Sequence, residues 1–252
     1  MRRIINNIKH HSNWLQYYSY KYFTPRNTGF TFIGRSGLKL SIPKRLLQTY
    51  KECFFDETYF KGLPKDIQKF NTKTVVDIGA NVGYFSLSFF SIDPKAQILS
   101  YEPMPNNFEL LQKYQNENAG LNFKIFNNAV SGRKETLTLN YNANDSYTTS
   151  ASIFESDNEP DKIYVETTTL EDIIKDNQLE KIDFLKLDCE GSEYEIIYNA
   201  SSTVLDKIVI LSIETHQGKS ERENRDSLAT FLIKNGFEIK SLKSQLWGWK
   251  SK

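Results

Sequence analysis

One short stretch constrains this chain more than any other. A β-branched run from Thr74 to Ile78 is followed by small residues, Gly79-Ala80-Asn81-Val82-Gly83, and then by an apolar segment at helical spacing, Phe85, Leu87, Phe89 and Phe90. Strand, glycine turn and helix in that order open an α/β unit. Such a turn lets backbone approach a ligand closely and aims free N–H groups at it. The pattern is not Gly-x-Gly-x-x-Gly, and Asp77 stands just ahead of the first glycine. A carboxylate there would repel a pyrophosphate seated on the helix N-terminus, so the turn disfavours a dinucleotide. A ligand carrying an ammonium or a sulfonium would tolerate it.

The next strand, Gln97 to Tyr101, ends in Glu102, 19 positions after Gly83, near the spacing of an acid that accepts ribose hydroxyls. Pro103 and Pro105 then force a turn. Asp77 and Glu102 together make S-adenosylmethionine a better ligand than a nicotinamide dinucleotide. A helix from about 83 to 91, another from about 106 to 117 and a strand at 122–126 continue the rhythm. Regular alternation argues a parallel sheet with right-handed crossovers, which binds ligands beyond the strands' carboxyl ends. Asn127-Asn128-Ala129 reaches that edge, and Asn128 is a candidate for the adenine, although Asn after a strand also forms turns.

A second chemical centre lies at Lys186-Leu187-Asp188-Cys189-Glu190-Gly191-Ser192, after a strand beginning at Ile182. Lys186, Asp188 and Glu190 share one parity and point the same way if the strand stays extended through them. Three ionisable groups on one side of a core strand are costly unless paired or used, so either a structural Lys–carboxylate pair or a reaction centre is expected. The strand Lys207 to Ile213 delivers Glu214, Thr215 and His216 to the same edge, His216 as base or ligand. Ser192 with Glu195, and Thr169 with Asp172, read as helix caps. Residues 133–139 and Ile163 to Thr168 read as strands, and the polar segment 140–160 between them as a lid or mobile loop. A helix around Leu228, Phe231 and Leu232, closed by Gly236, precedes a last strand, Phe237 to Leu242; Leu246, Trp247 and Trp249 form an aromatic cluster over the sheet.

The first 51 residues hold ten Lys or Arg and no Asp or Glu. Ile4, Ile8, Leu15, Tyr18 and Tyr22 recur there at helical spacing, and Pro25 ends the pattern. This basic, aromatic arm is expected to pack on the body or on a second subunit of a homodimer, with a peripheral membrane contact as the alternative. No nucleic-acid module accompanies it, so nucleic acid is disfavoured. Phe30 to Ile33 and Leu38 to Ile42 read as a hairpin covering one end of the sheet, and Tyr50 to Phe60 as a helix. The chain divides into an N-terminal extension, residues 1–70, and an α/β domain, residues 71–252. Two cysteines and no zinc spacing argue against a disulfide framework, and no apolar run is long enough to span a bilayer. A cytoplasmic location is the expectation.

The ordered set Val-Val-Asp-Ile-Gly-Ala-Asn-Val-Gly-Tyr-Phe, Tyr-Glu-Pro-Met-Pro, Asn-Asn-Ala-Val, Thr-Thr-Thr-Leu-Glu-Asp, Asp-Phe-Leu-Lys-Leu-Asp-Cys-Glu-Gly-Ser-Glu and Ile-Glu-Thr-His resembles the FkbM-type methyltransferases. It covers roughly residues 70 to 216. The resemblance implies a Rossmann-like, seven-stranded class I methyltransferase sheet with helices on both faces, and O-methylation of sugars or polyketides. It further implies that Asp77, Gly79, Asn81 and Gly83 hold the methionine part of the donor, Glu102 the ribose, and Asn128 with Ala129 the adenine. Tyr84 and Pro103 are further donor-binding candidates. Lys186, Asp188, Glu190 and His216 would carry the acceptor chemistry. The base would be Asp188, Glu190 or His216; a second version places a divalent cation between Asp188 and Glu214 or His216. A glycan or small-molecule acceptor is expected. A nicotinamide-dependent oxidoreductase and a non-catalytic module using the basic arm are the rival readings.

Overall fold

The computed structural model describes residues 1–24, 28–68, 73–142, 161–216, 218 and 220–251. The expected lid at 140–160 therefore lies almost wholly outside the described residues, as does the boundary expected near residue 70.

The extension comprises α1 (Arg2–His10), α2 (Trp14–Phe23), a hairpin of β1 (Phe30–Ile33) and β2 (Lys39–Ile42), and α3 (Leu47–Phe54). The single helix expected over residues 4–22 is broken. At the break Ser12 N donates to Ile33 O, and Asn13 pairs by side chain with Thr31 O and Ile33 N, so the chain there joins the edge of β1. The helix expected at 50–60 starts and ends earlier, as α3.

The α/β part follows as β3 (Thr74–Ile78), α4 (Tyr84–Phe90), β4 (Gln97–Tyr101), α5 (Pro105–Glu117), β5 (Phe123–Phe126), β6 (Ala129–Val130), β7 (Thr136–Tyr141), β8 (Asp161–Thr168), α6 (Leu170–Asp176) and β9 (Ile182–Leu187). It closes with α7 (Glu193–Asn199), α8 (Ser202–Asp206), β10 (Ile208–Glu214), α9 (Arg225–Lys234), β11 (Glu238–Leu242) and β12 (Gln245–Trp249). Seven strands form one sheet in the order β11-β12-β10-β9-β3-β4-β5. Neighbours from β10 to β5 run parallel, and β12 is antiparallel to both of its neighbours. Connectivity reverses between β9 and β3, which puts the binding crevice at their carboxyl ends.

Alternate residues of these strands feed two cores. Val75, Ile98, Phe184 and Trp247 pack with α4, α5 and the aromatic residues of the extension, while Val76, Leu99, Leu185, Leu211 and Leu246 pack with α6 to α9. The expected hairpin forms and packs beside α5. Phe32, Leu40 and Ile42 join the first core, and Tyr114 Oη of α5 donates to Ser41 O at 2.9 Å. The aromatic cluster at 246–249 is itself a strand, and residues 133–139 and 163–168 belong to a separate sheet ordered β6-β8-β7. The Thr169 cap forms, its Oγ1 accepting from Asp172 N. The Ser192–Glu195 cap does not: the backbone of Ser192 is already helical, and Ser131 Oγ donates to Glu195 Oε2 at 3.1 Å. No helix among the described residues is long and apolar enough to cross a membrane.

Candidate active site

The carboxyl ends of β3, β4, β9 and β10 open into a cleft of about 1240 Å³ including its mouth. The turn after β3 approaches that after β9 too closely for any side chain. A Cβ at Gly79, whose φ is +69°, would lie 1.8 Å from Asp188 O. Asn81 also adopts a left-handed backbone, φ +51°, and its Oδ1 accepts from Val82 N at 2.7 Å. These constraints leave Gly79, Ala80, Asn81 and Val82 lining the cleft, with Tyr84 beyond them.

Glu102, at the end of β4, is almost fully buried, and burial pushes its carboxyl up to about 7 against the opposing pull of Met104 and Asn81. Its Oε2 accepts from Asn81 N at 2.7 Å and its Oε1 from Met104 N at 2.9 Å. Asn107 Nδ2 also donates to Oε1, at 3.4 Å, so among the described residues Oε2 is the oxygen with the single donor. Pro103, Asn128 and Ala129 line the same end of the cleft.

Asp77 sits in a buried ion pair. It is wholly buried, Ser86 Oγ donates to its Oδ2 at 2.6 Å, and Lys186 Nζ lies 3.2 Å from its Oδ1. Neither Asp77 nor Gly83 lines the cleft. Gly83, φ +84°, instead lets the start of α4 pass Leu111, which a Cβ would meet at 2.5 Å. Lys186 donates to Gly79 O at 2.5 Å, tying β9 to the turn after β3. Burial disfavours its ammonium, yet Asp77 and Asp188 outweigh that penalty and hold its pKa above the usual lysine value.

Strand parity is not what gathers the second centre. β9 ends at Leu187, and Glu190 stands in a left-handed conformation, φ +50°, so the chain turns before Glu190 is reached. The turn still brings the groups together. His216 Nε2 lies 3.5 Å from Glu190 Oε2 and 3.9 Å from Asp188 Oδ1, and Asp188 Oδ2 lies 3.9 Å from Lys186 Nζ. Burial, reinforced by Asp188, raises the Glu190 carboxyl to about 7 despite the pull of His216. Burial lowers the affinity of His216 for its proton, but Glu193, Glu190 and Asp188 reverse this and lift it to about 9. At neutral pH an imidazolium therefore sits between carboxylates. Asp188, Glu190 and His216 each offer one ligand atom within 4.8 Å of the others, so a cation set drawn from these residues contains Glu190 rather than Glu214. Glu214 lines the same cleft, its carboxyl raised by burial and by Asp188.

Two contributors have no counterpart among the candidates from sequence. Tyr59, from the extension, donates its hydroxyl to Asp188 Oδ2 at 2.6 Å. Glu193, fully buried, accepts from His216 N at 2.7 Å and from Gly191 N at 2.9 Å. A phenol 129 residues from its partner leaves no local signal. Glu193 could have been suspected as a further acid in the charged run that starts at Lys186.

The methyltransferase FkbM domain matches residues 77–239. The chain is 28% identical over 220 residues to methyltransferase sdnD of Sordaria araneosa, covering 75% of this chain and 81% of that protein. It is 26% identical over 188 residues to 2-O-methyltransferase NoeI of Sinorhizobium fredii, covering 68% and 75%. The crystal structure of methyltransferase FkbM from Methylobacillus flagellatus KT aligns with a TM-score of 0.49 at 14% identity, covering 82% of this chain and 54% of that one, so the chain spans about half of its length. A single antiparallel strand in an otherwise parallel seven-stranded sheet, a reversal between β9 and β3 and a family match over most of that sheet lead to one conclusion: the chain belongs to the FkbM methyltransferases, enzymes of the class I fold that depend on S-adenosylmethionine.

Proposed function

We propose that this protein methylates a hydroxyl group of a saccharide acceptor. The observation that carries the reading is Glu190, a cleft carboxyl raised to about 7 and set beside the His216 imidazole. A general base works best when its pKa lies near the operating pH, and Glu190 meets that condition. S-adenosylmethionine supplies an electrophilic methyl group on a sulfonium centre. The turn Gly79–Val82 and Glu102 suit that donor: both line the cleft at the carboxyl ends of neighbouring parallel strands, and among the described residues Glu102 Oε2 has a single donor, Asn81 N. On the acceptor side, Glu190 takes the hydroxyl proton. His216, positively charged, steadies the oxygen and lowers the cost of ionising Glu190. Holding the hydroxyl in place contributes several kcal/mol towards the barrier, roughly as for other well-oriented reactions.

A saccharide is favoured because the hydroxyl of Thr49 and the carboxylate of Glu52 share the cleft with the aromatic ring of Tyr59. The similarity to NoeI, a 2-O-methyltransferase, supports oxygen as the methylated atom. Asp188 already meets Tyr59 and Lys186, and His216 supplies positive charge, so the proposed mechanism uses no divalent cation. Activity should then survive exhaustive chelation. Labelled donor incubated with the protein and fractionated cell extract should place base-stable label in saccharide. Label in protein or nucleic acid, or as a labile ester, would overturn the reading.

A further inference from the structure

We propose that the first helices form a docking surface for an anionic lipid bilayer. Helix α1 is set on the body the opposite way from an ordinary surface helix, which buries its apolar stripe. Asn6, Asn7 and His10 are the buried residues of α1. Asn6 Nδ2 donates to Phe55 O at 2.8 Å, and His10 Nε2 meets Glu57 Oε1 at 3.2 Å. The helical repeat puts Ile4, Ile5 and Ile8 on the opposite side. Ile4 is 49% and Ile5 57% exposed. These polar anchors hold α1 in this orientation, so the isoleucines cannot turn inward without breaking them. Helix α2 buries Tyr17 in the core and also exposes apolar side chains on its outer side, Leu15, Tyr22 and Phe23 being 64%, 68% and 85% exposed.

Charge selects the occupant. Arg2 and Lys9 flank the isoleucine stripe with more than half of their side-chain surface exposed, even while facing Glu57. Residues 1–60 hold ten Lys or Arg against three Asp or Glu, an excess of seven positive charges. An apolar face edged by such charge matches the interfacial layer of an anionic leaflet, where the apolar side chains sink below the headgroups and the cations meet them. A second copy fits poorly, since a two-fold interface would set this basic rim against itself. Nine and ten residues make α1 and α2 too short to span, so contact is confined to the surface.

The test is co-sedimentation of the full chain with vesicles of phosphatidylcholine containing phosphatidylglycerol, and with vesicles of phosphatidylcholine alone. Binding to the anionic vesicles should be roughly tenfold tighter than to the neutral ones, and added salt should release it. The double variant Ile4→Gln/Ile5→Gln should weaken it by about tenfold with unchanged thermal unfolding, because both side chains are exposed. If that variant does not fold, Leu15→Gln/Phe23→Gln on α2 carries the same expectation. Failure to bind anionic vesicles, equal binding to neutral ones, or variants that bind like the parent would overturn the proposal. So would a dimer that the variants dissolve while vesicles leave the parent in solution.

Discussion

Glu193 Oε1 accepts from both the backbone nitrogen of His216, at 2.7 Å, and the ring Nδ1, at 3.2 Å. A buried carboxylate thereby fixes the ring and directs Nε2 at Glu190 and Asp188. Glu193→Gln keeps the shape and removes the charge, so the proton on His216 should be held less tightly and its pKa should fall from about 9. Catalytic efficiency should drop roughly tenfold to a hundredfold, and the alkaline limb of the pH–rate profile should move to lower pH. Steady-state kinetics across pH separates this from a purely structural loss, which would lower the rate at every pH without moving the limb.

The parent profile should be bell-shaped. Catalytic efficiency rises as Glu190 ionises through about 7 and falls as His216 loses its proton through about 9. Stability follows the same groups. Both folded values are raised above the ordinary 4.5 and 6.5, so each group's contribution is complete below its ordinary value and is lost as pH rises through the raised one. Melting temperature should therefore decline from about 4.5 to about 9, Glu190 contributing between 4.5 and about 7 and His216 between 6.5 and about 9, and Glu190→Gln should flatten the part below about 7. A profile that stays flat through 7 in the parent would remove Glu190 as the base.

Asp77 forms a buried ion pair that the fold has to accommodate. It faces Lys186 Nζ at 3.2 Å with neither side chain appreciably exposed. Asp77→Asn leaves a buried ammonium half-compensated, and breaking such a pair costs about 3–5 kcal/mol. Denaturant unfolding should show a loss of that size. A variant of normal stability that had merely lost donor affinity by calorimetry would instead put Asp77 in contact with the donor.

These residues also show what sequence can disclose. Thr74–Ile78 and Gln97–Tyr101 have the bounds expected of them, because core strands of a parallel sheet are short, largely apolar runs ended by turn formers. Gln245–Trp249 escaped notice as a strand: four of its five residues are buried, so no alternation marks it. In α1 the spacing of the isoleucines revealed an amphipathic helix but not which side would face the body, since Phe55 O and Glu57, the partners of Asn6 and His10, lie about 47 to 49 residues away. The cleft was readable wherever its residues follow strands of the sheet, as Glu102, Asp188 and His216 do. Tyr59 precedes β3 and comes from the extension, so only tertiary packing brings it in.

Tyr59 supplies the last test. Its hydroxyl reaches Asp188 Oδ2 at 2.6 Å, its carbonyl accepts from Trp247 Nε1 at 3.1 Å, and Lys186 Nζ lies 5.4 Å from its ring centroid. One residue thus joins the extension, the last strand and the reaction centre. Tyr59→Phe keeps the ring and the backbone contact and removes one hydrogen bond to a partly exposed carboxylate, so stability should fall by only about 1 kcal/mol. Asp188 would turn towards Lys186 and His216, shifting the group that receives the acceptor. The turnover number should therefore fall about tenfold, a larger effect than the stability loss suggests, while donor affinity measured by calorimetry stays the same. Unchanged turnover would mean that the phenol only anchors the extension.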